Sequence, residues 1–283
     1  MPRKKMGLKW GPDTKGADVV KAFPLSIKKR TFLLTGVDRD GLPVATAEAL
    51  ASGDAAAIIL MGKSQVVAQP VIDEINQKHP KVKVIFVSVD CGRFASVHKA
   101  ADTIKKLDIP IDGLVGFPTL FAGPWAKTAD GVESHFQHNY LSHFLLINLL
   151  LDLMLADSRV VMVSSCIRPE ASLPEWDDPS FSDGKTYHPL DAFALSTFAN
   201  IQMVKCLAIS GAGRSMSTFA VNPGNTKPSI QTVASLEHVA SWLQKKKEQG
   251  EDLPILLQQV PKSVSQGIAT ILRALLDPDI AGK

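Results

Sequence analysis

The chain has 283 residues, 45% hydrophobic and 21% charged, with a formal net charge of +3. That length supports one large α/β domain with a buried core, and the composition forces no long segment into disorder. The positive excess sits in short runs, Arg3-Lys4-Lys5, Lys28-Lys29-Arg30 and Lys245-Lys246-Lys247, which read as solvated surface and argue against a nucleic-acid partner.

The lead "MPRKKMGLKWGPDTKG" is basic but lacks the apolar stretch of a secretory signal, and Pro2 rules out an N-myristoylation motif. From Thr31 onward, short apolar runs alternate with helical spacing. Strands are expected at 31–36, 56–62, 83–90, 112–117, 159–165 and 217–224, and helices at 44–53, 65–79, 94–107, 129–155 and 191–210. Strand and helix repeated in this way predict a doubly wound parallel sheet, with ligands at the carboxyl ends of the strands. The most apolar segment, "HFLLINLLLDLMLA", is interrupted by Asn148 and Asp152 and is too short for a bilayer, so no membrane partner is expected. The stretch 166–190, rich in Pro, Asp and Ser, reads as a surface connection, and 229–263 as a mobile helical insertion. Residues 1–28 are read as an N-terminal extension and 29–283 as the domain. Cys91, Cys166 and Cys206 form no CxxC pair, and a reducing, cytoplasmic setting fits them. His135, His138 and His143 share one expected helix at spacings of three and five without an acidic or cysteine partner set, so no metal is expected.

Several motifs follow one another in a familiar order: "TGVDRDGLPVATAEAL" after the first strand, "VD" at 89–90, "TADGVESHFQHNYLSHFLLINLLL", "RVVMVSS", "YHPLDAFALSTFAN" and "VNPG". In order and spacing they resemble the short-chain dehydrogenase/reductases (SDRs), and among these the fungal members related to retinol dehydrogenases and the WW-domain oxidoreductase. The resemblance implies a single-domain Rossmann-like doubly wound sheet with helices on both faces. It implies NADP(H) as the nucleotide, held by Thr35, Gly36, Gly41, Lys63, Ser64, Asp90, Pro223 and Gly224. Lys63 and Ser64 would meet the 2′-phosphate, since no acidic residue ends the second strand. It also implies a homodimer or homotetramer packed through the long helices.

The chain departs from the family pattern where the chemistry lies. Asp40 and Pro43 stand in the glycine-rich loop, where a carboxylate repels the diphosphate and proline removes an N–H donor. Gly116-Phe117-Pro118-Thr119 replaces the segment beside the nicotinamide. Ser165 and Asn139 match the family's serine and asparagine, but Phe193 and Thr197 stand where its tyrosine and lysine would be, so the usual general acid is lost. Asp191 and Arg168 are left as polar candidates at the pocket mouth, with helix-start and surface roles as their plainer alternatives. Phe117, Pro118, Trp125, Tyr187 and Phe193 are expected to line the substrate pocket, and Tyr187 and His188 are minor candidates to replace the lost acid. The leading expectation is a non-redox cyclase or isomerase, similar to SDR-like Diels–Alderases, acting on an apolar or zwitterionic small molecule. The alternatives are an NADPH-dependent reductase of an iminium or carbonyl compound and a non-catalytic binding protein.

Overall fold

The computed structural model describes residues 10–37, 40–165, 177–210, 216–226, 236–248 and 260–281. Six strands form one parallel sheet: β1 (Thr31–Leu34), β2 (Ala57–Gly62), β3 (Lys83–Ser88), β4 (Ile111–Gly116), β5 (Met154–Val163) and β6 (Ser217–Val221). Their spatial order is β3-β2-β1-β4-β5-β6, so the chain reverses its winding between β1 and β4. Side chains alternate across a strand, and both faces here are covered, which is why the strands read as unbroken apolar runs. Phe32 and Leu34 face one buried layer, and Leu33 faces the other.

The first layer packs α1 (Gly16–Ala22), α2 (Leu42–Ser52), α3 (Gln65–Lys78) and α8 (Val264–Leu276) on the sheet. The second packs α4 (Phe94–Lys105), α5 (Ser142–Leu150) and α6 (Pro189–Ser210). A further helix, α7 (Leu236–Glu248), crosses the start of α6. α6 is apolar enough over residues 189–209 to satisfy a membrane-span criterion by length and composition, but 61% of its most apolar window is buried inside the fold.

Two expectations change. The helix expected over 129–155 is broken into a π-type turn at Phe136–Leu141, α5, and then a ten-residue β5 that starts at Met154 rather than 159. Met154 pairs with Ile111, and the Ser158 hydroxyl donates to the Ile111 carbonyl at 2.6 Å, so the chain is already a strand where its apolar spacing still reads as helix. Periodicity alone does not separate a buried helix end from a buried strand start. Part of the N-terminal extension is also core: Val19, Val20, Phe23 and Ile27 are buried. Gly16 lies so close to α8 that a Cβ there would stand 2.5 Å from Ile268 Cδ1. Within the segment read as a mobile insertion, residues 229–235 and 249–259 lie outside the described ones, while α7 is a packed helix.

The burial of the lead segment makes a testable statement. Ile27 is fully buried and packs against Gly53. Ile27→Ala is expected to lower unfolding free energy by about 2–5 kcal/mol, read from urea denaturation. A loss under about 0.5 kcal/mol would show that the segment is an appendage.

Candidate functional site

The winding reverses between β1 and β4, and at such a reversal an open α/β sheet places its ligand crevice, outside the carboxyl ends of the strands. Each strand delivers a short turn to it. After β1 come Thr35 and Gly36, the latter with φ +66°, and α2 starts at Gly41, with φ +91°. Pro43 is buried in the first turn of α2, so one helix N-terminal N–H is missing, and Asp40 is exposed just before it. Asp38 and Arg39, between them, lie outside the described residues.

Thr35 is buried and ties the crevice floor together. Its Oγ1 accepts the Phe117 amide N–H at 2.9 Å and is hydrogen-bonded to His143 Nε2 at 2.8 Å. His143 is sealed in the core, and burial pushes its imidazole down from 6.5 to about 4, so it is neutral at pH 7. Thr35 therefore acts through the protein floor.

The residues expected at a nucleotide's adenosine end lie at the ends of β2 and β3. Gly62 is required there, because a Cβ would stand 2.4 Å from the Val37 carbonyl oxygen. Lys63 is largely exposed, with its ammonium 3.4 Å from Asp90. Burial works against ionisation of Asp90, but the Gly92 amide and the Lys63 ammonium outweigh it and hold the carboxyl below its usual range. Ser64 occupies the cap position of α3 without a capping bond. At β6, Pro223 is buried and Gly224 has φ +82°, with its amide donating to Asn222 Oδ1.

Where the sequence reading expects the relay, α6 carries Phe193 and Thr197. Phe193 is buried and meets Phe121 edge to face, with ring centroids 4.7 Å apart. Thr197 is fully buried, and its hydroxyl donates within its own helix, to the carbonyls of Phe193 and Ala194 at 3.0 and 3.1 Å. Ser165 is half-buried just beyond β5, while its neighbour Ser164 donates to the Thr197 carbonyl at 3.1 Å. Asn139 spends its whole carboxamide on protein groups. Its Oδ1 accepts the amides of Thr119 and Leu120, both at 3.0 Å, and its Nδ2 donates to the Leu120 carbonyl and to Ser196 Oγ. Pro118 is half-buried, and Phe117 is buried with its Cβ against Gly36.

Asp191 does not stand open at the mouth. Its Oδ1 accepts Trp242 Nε1–H at 2.7 Å, and its Oδ2 lies 2.7 Å from the Lys245 ammonium. Arg168 lies outside the described residues. The aromatic wall is also differently composed: Phe121 and Phe193 gather with Ala122, Leu190, Ala194 and Trp242. Trp125 instead donates to the Ser180 carbonyl and packs on Gly184, while Tyr187 donates to the Gly123 carbonyl at 2.6 Å. Burial pushes the Tyr187 phenol well above its usual range, assisted by the Glu133 carboxylate, so it is a poor acid. The three histidines separate. His135 Nδ1 donates to Glu133 and its Nε2 accepts the Gly123 amide, His138 Nδ1 donates to the Ser134 carbonyl, and His143 bonds Thr35. Among the described residues no group of His, Cys, Asp or Glu could hold a metal ion.

Sequence reading missed Trp242 and Lys245. Their spacing of three on a helix puts them on one face, but the lysine run around them reads as solvated surface.

A family model described as short chain dehydrogenase matches residues 30–173. The chain belongs to the short-chain dehydrogenase family. Among curated relatives, the oxidoreductase FscI of Fusarium equiseti is 30% identical over 240 residues, covering 75% of this chain and 93% of that protein. Human polyprenol dehydrogenase is 30% identical, covering 89% and 74%. The human WW domain-containing oxidoreductase is 29% identical and covers 89% of this chain, which spans 59% of that protein's length. Among solved structures, a blue fluorescent protein from a metagenomic library in complex with NADPH superposes with a TM-score of 0.65 at 21% identity, covering 91% and 94%. A short-chain dehydrogenase/reductase from Serratia marcescens superposes with 0.63 at 19% identity, covering 91% and 94%. The likeness to these structures establishes the fold of the SDR family member.

His143 supplies the pH test of this floor. Its folded pKa lies below the unfolded value, so the unfolded chain takes the proton first, and stability is lost as pH falls from 6.5 towards about 4. Between pH 6.5 and 5 this one group is expected to cost roughly 2 kcal/mol. Urea denaturation of wild type and His143→Gln at both pH values isolates it; an unchanged difference between the two would remove His143 from the acid response.

Proposed function

We propose that this SDR-family protein is an NADP(H)-linked oxidoreductase acting on a substrate that needs no proton from the protein, an iminium ion or a comparably activated carbonyl compound. The observation that carries this reading is the sealed relay: Phe193 has no ionisable group, and Thr197 bonds its own helix. Reduction of an ordinary ketone without its general acid would be slower by roughly 10²–10⁴-fold. An iminium carbon is neutralised by hydride alone, and the missing acid costs it nothing.

The residues fit the nucleotide best at its adenosine end. Gly62 leaves room for the turn after β1, Lys63 is an exposed cation beside it, and Asp90 is held ionised by Gly92 and Lys63. The diphosphate end keeps the helix start at Gly41 but loses a donor at Pro43. NADPH, when bound, supplies a hydride. The chain's own groups do the rest: Phe121 and Phe193 exclude water, Asn139 fixes the wall at Thr119 and Leu120, and Ser165 stands as a hydroxyl at the mouth.

Relatives named as oxidoreductases and a dehydrogenase support a redox reading over the cyclase expected first. The NADPH complex of a structural relative supports the choice of nucleotide class. A cytoplasmic setting and a homodimer or homotetramer belong to the same proposal. Phe144 and Ile209, exposed on α5 and α6, offer apolar surface for a second copy.

Calorimetric titration with NADPH and NADP⁺, followed by NADPH oxidation with an N-alkyl cyclic iminium salt, tests the reading. Binding and consumption are expected with the iminium salt, and no turnover with simple secondary alcohols or retinol. Failure of both nucleotides to bind would overturn it, as would alcohol oxidation at rates usual for the family.

A further inference from the structure

Three aromatic rings and one carboxylate meet where α7 crosses the start of α6. Phe121 and Phe193 stand edge to face, and Trp242 completes a buried apolar cluster with Leu190 and Ala194. At its rim, Asp191 accepts both Trp242 Nε1–H and the Lys245 ammonium, each at 2.7 Å. The two partners of the ion pair differ in their setting. The Asp191 side chain is 10% exposed and so committed to the cluster, whereas that of Lys245 is 39% exposed and reaches it from the solvent side.

Aromatic faces carry a negative quadrupole and attract cations, and a neighbouring carboxylate adds to that field. Lys245 answers the charge of Asp191 only as a compact, strongly hydrated ammonium. A flat organic cation is less hydrated and carries an apolar body the rings can cover. Among the described residues, His188 at the start of α6 and His238 on α7 also stand near the pair, with ring centroids 6.5 Å apart. Burial presses the His188 pKa below its usual value, and the ammonium in contact with Asp191 is that of Lys245.

We propose that this cluster is a binding site for a flat organic cation, an iminium or quaternary ammonium compound, which displaces the Lys245 ammonium from Asp191 and lies among Phe121, Phe193 and Trp242. The proposal deepens the reading above by naming the charge and shape of the ligand. Asp191 then binds the ligand by its charge and transfers no proton. Trp242 keeps the carboxylate aimed, and α7 moves to admit the ligand because Trp242 and Leu243 close the cluster.

The test is calorimetric titration of the full chain, without nucleotide, using N-methylisoquinolinium and, as the neutral counterpart, isoquinoline at a pH above its own pKa. The cation is expected to bind about tenfold more tightly than the neutral ring. Lys245→Met is expected to tighten the cation further by about tenfold, and Asp191→Asn to weaken it by at least about tenfold while leaving an acceptor for Trp242. The site is overturned if Lys245→Met leaves cation affinity unchanged or weakens it, or if Asp191→Asn binds as well as wild type. Should Asp191→Asn fail to fold, the Lys245→Met result decides by itself. A chain that binds the cation but oxidises no NADPH overturns the redox reading alone. One that reduces an iminium salt with no effect of Lys245→Met overturns this site alone.

Discussion

The carboxamide of Asn139 is the joint on which the site depends. One side chain satisfies the amides of Thr119 and Leu120, the Leu120 carbonyl and Ser196, and so fastens the turn after β4 to α6. Its own carbonyl accepts Asn200 Nδ2 at 2.9 Å, which adds a second tie between the same elements. Buried backbone groups left unpaired cost about 1–3 kcal/mol each, so this turn has few conformations to choose from. Phe121 reaches Phe193 because the turn before it is held there.

The floor and wall of the crevice follow the same logic of saturation. Thr35 closes the gap between β1, Phe117 and His143, while His135 and Tyr187 bind Gly123 from the other side, with Glu133 holding His135. These groups resemble catalytic types, yet each is bonded to backbone or to a neighbouring side chain. Preorganised polar groups act on a ligand only where they are aimed at it. Here they are aimed at the loop that forms the wall, and the chemistry that remains is that of an apolar, water-excluding surface.

The N-terminal end of α6 is where an apolar cluster and a paired charge meet. A tyrosine and lysine would need water, nucleotide and substrate beside them, whereas Phe193 and Thr197 can be buried. Their burial lets α7 settle with Trp242 on the cluster. Asp191 then meets an indole N–H and an ammonium on the same helix, Trp242 and Lys245 being three residues apart. A charge at the rim of an apolar cluster is stable only when paired, and that requirement makes it sensitive to any competing cation.

The sequence alone determined the doubly wound sheet, the order of its strands along the chain and the SDR family, because each is written in local spacing or residue type. Alternation of apolar runs and helical segments reports layers, and the absence of a phenol or amine at 193 and 197 is a matter of identity. It did not show that Trp125 turns to Ser180 and Gly184 while Trp242 joins Phe193, nor that Asp191 is paired, nor that β5 starts at Met154. Those facts rest on contacts between segments distant in the chain, 54 residues apart for Asp191 and Lys245 and 55 for Trp125 and Ser180. Residue type sets what a group can bond. Only the tertiary packing decides which partner reaches it first, since a buried donor or acceptor takes whatever complement the fold places within about 3 Å.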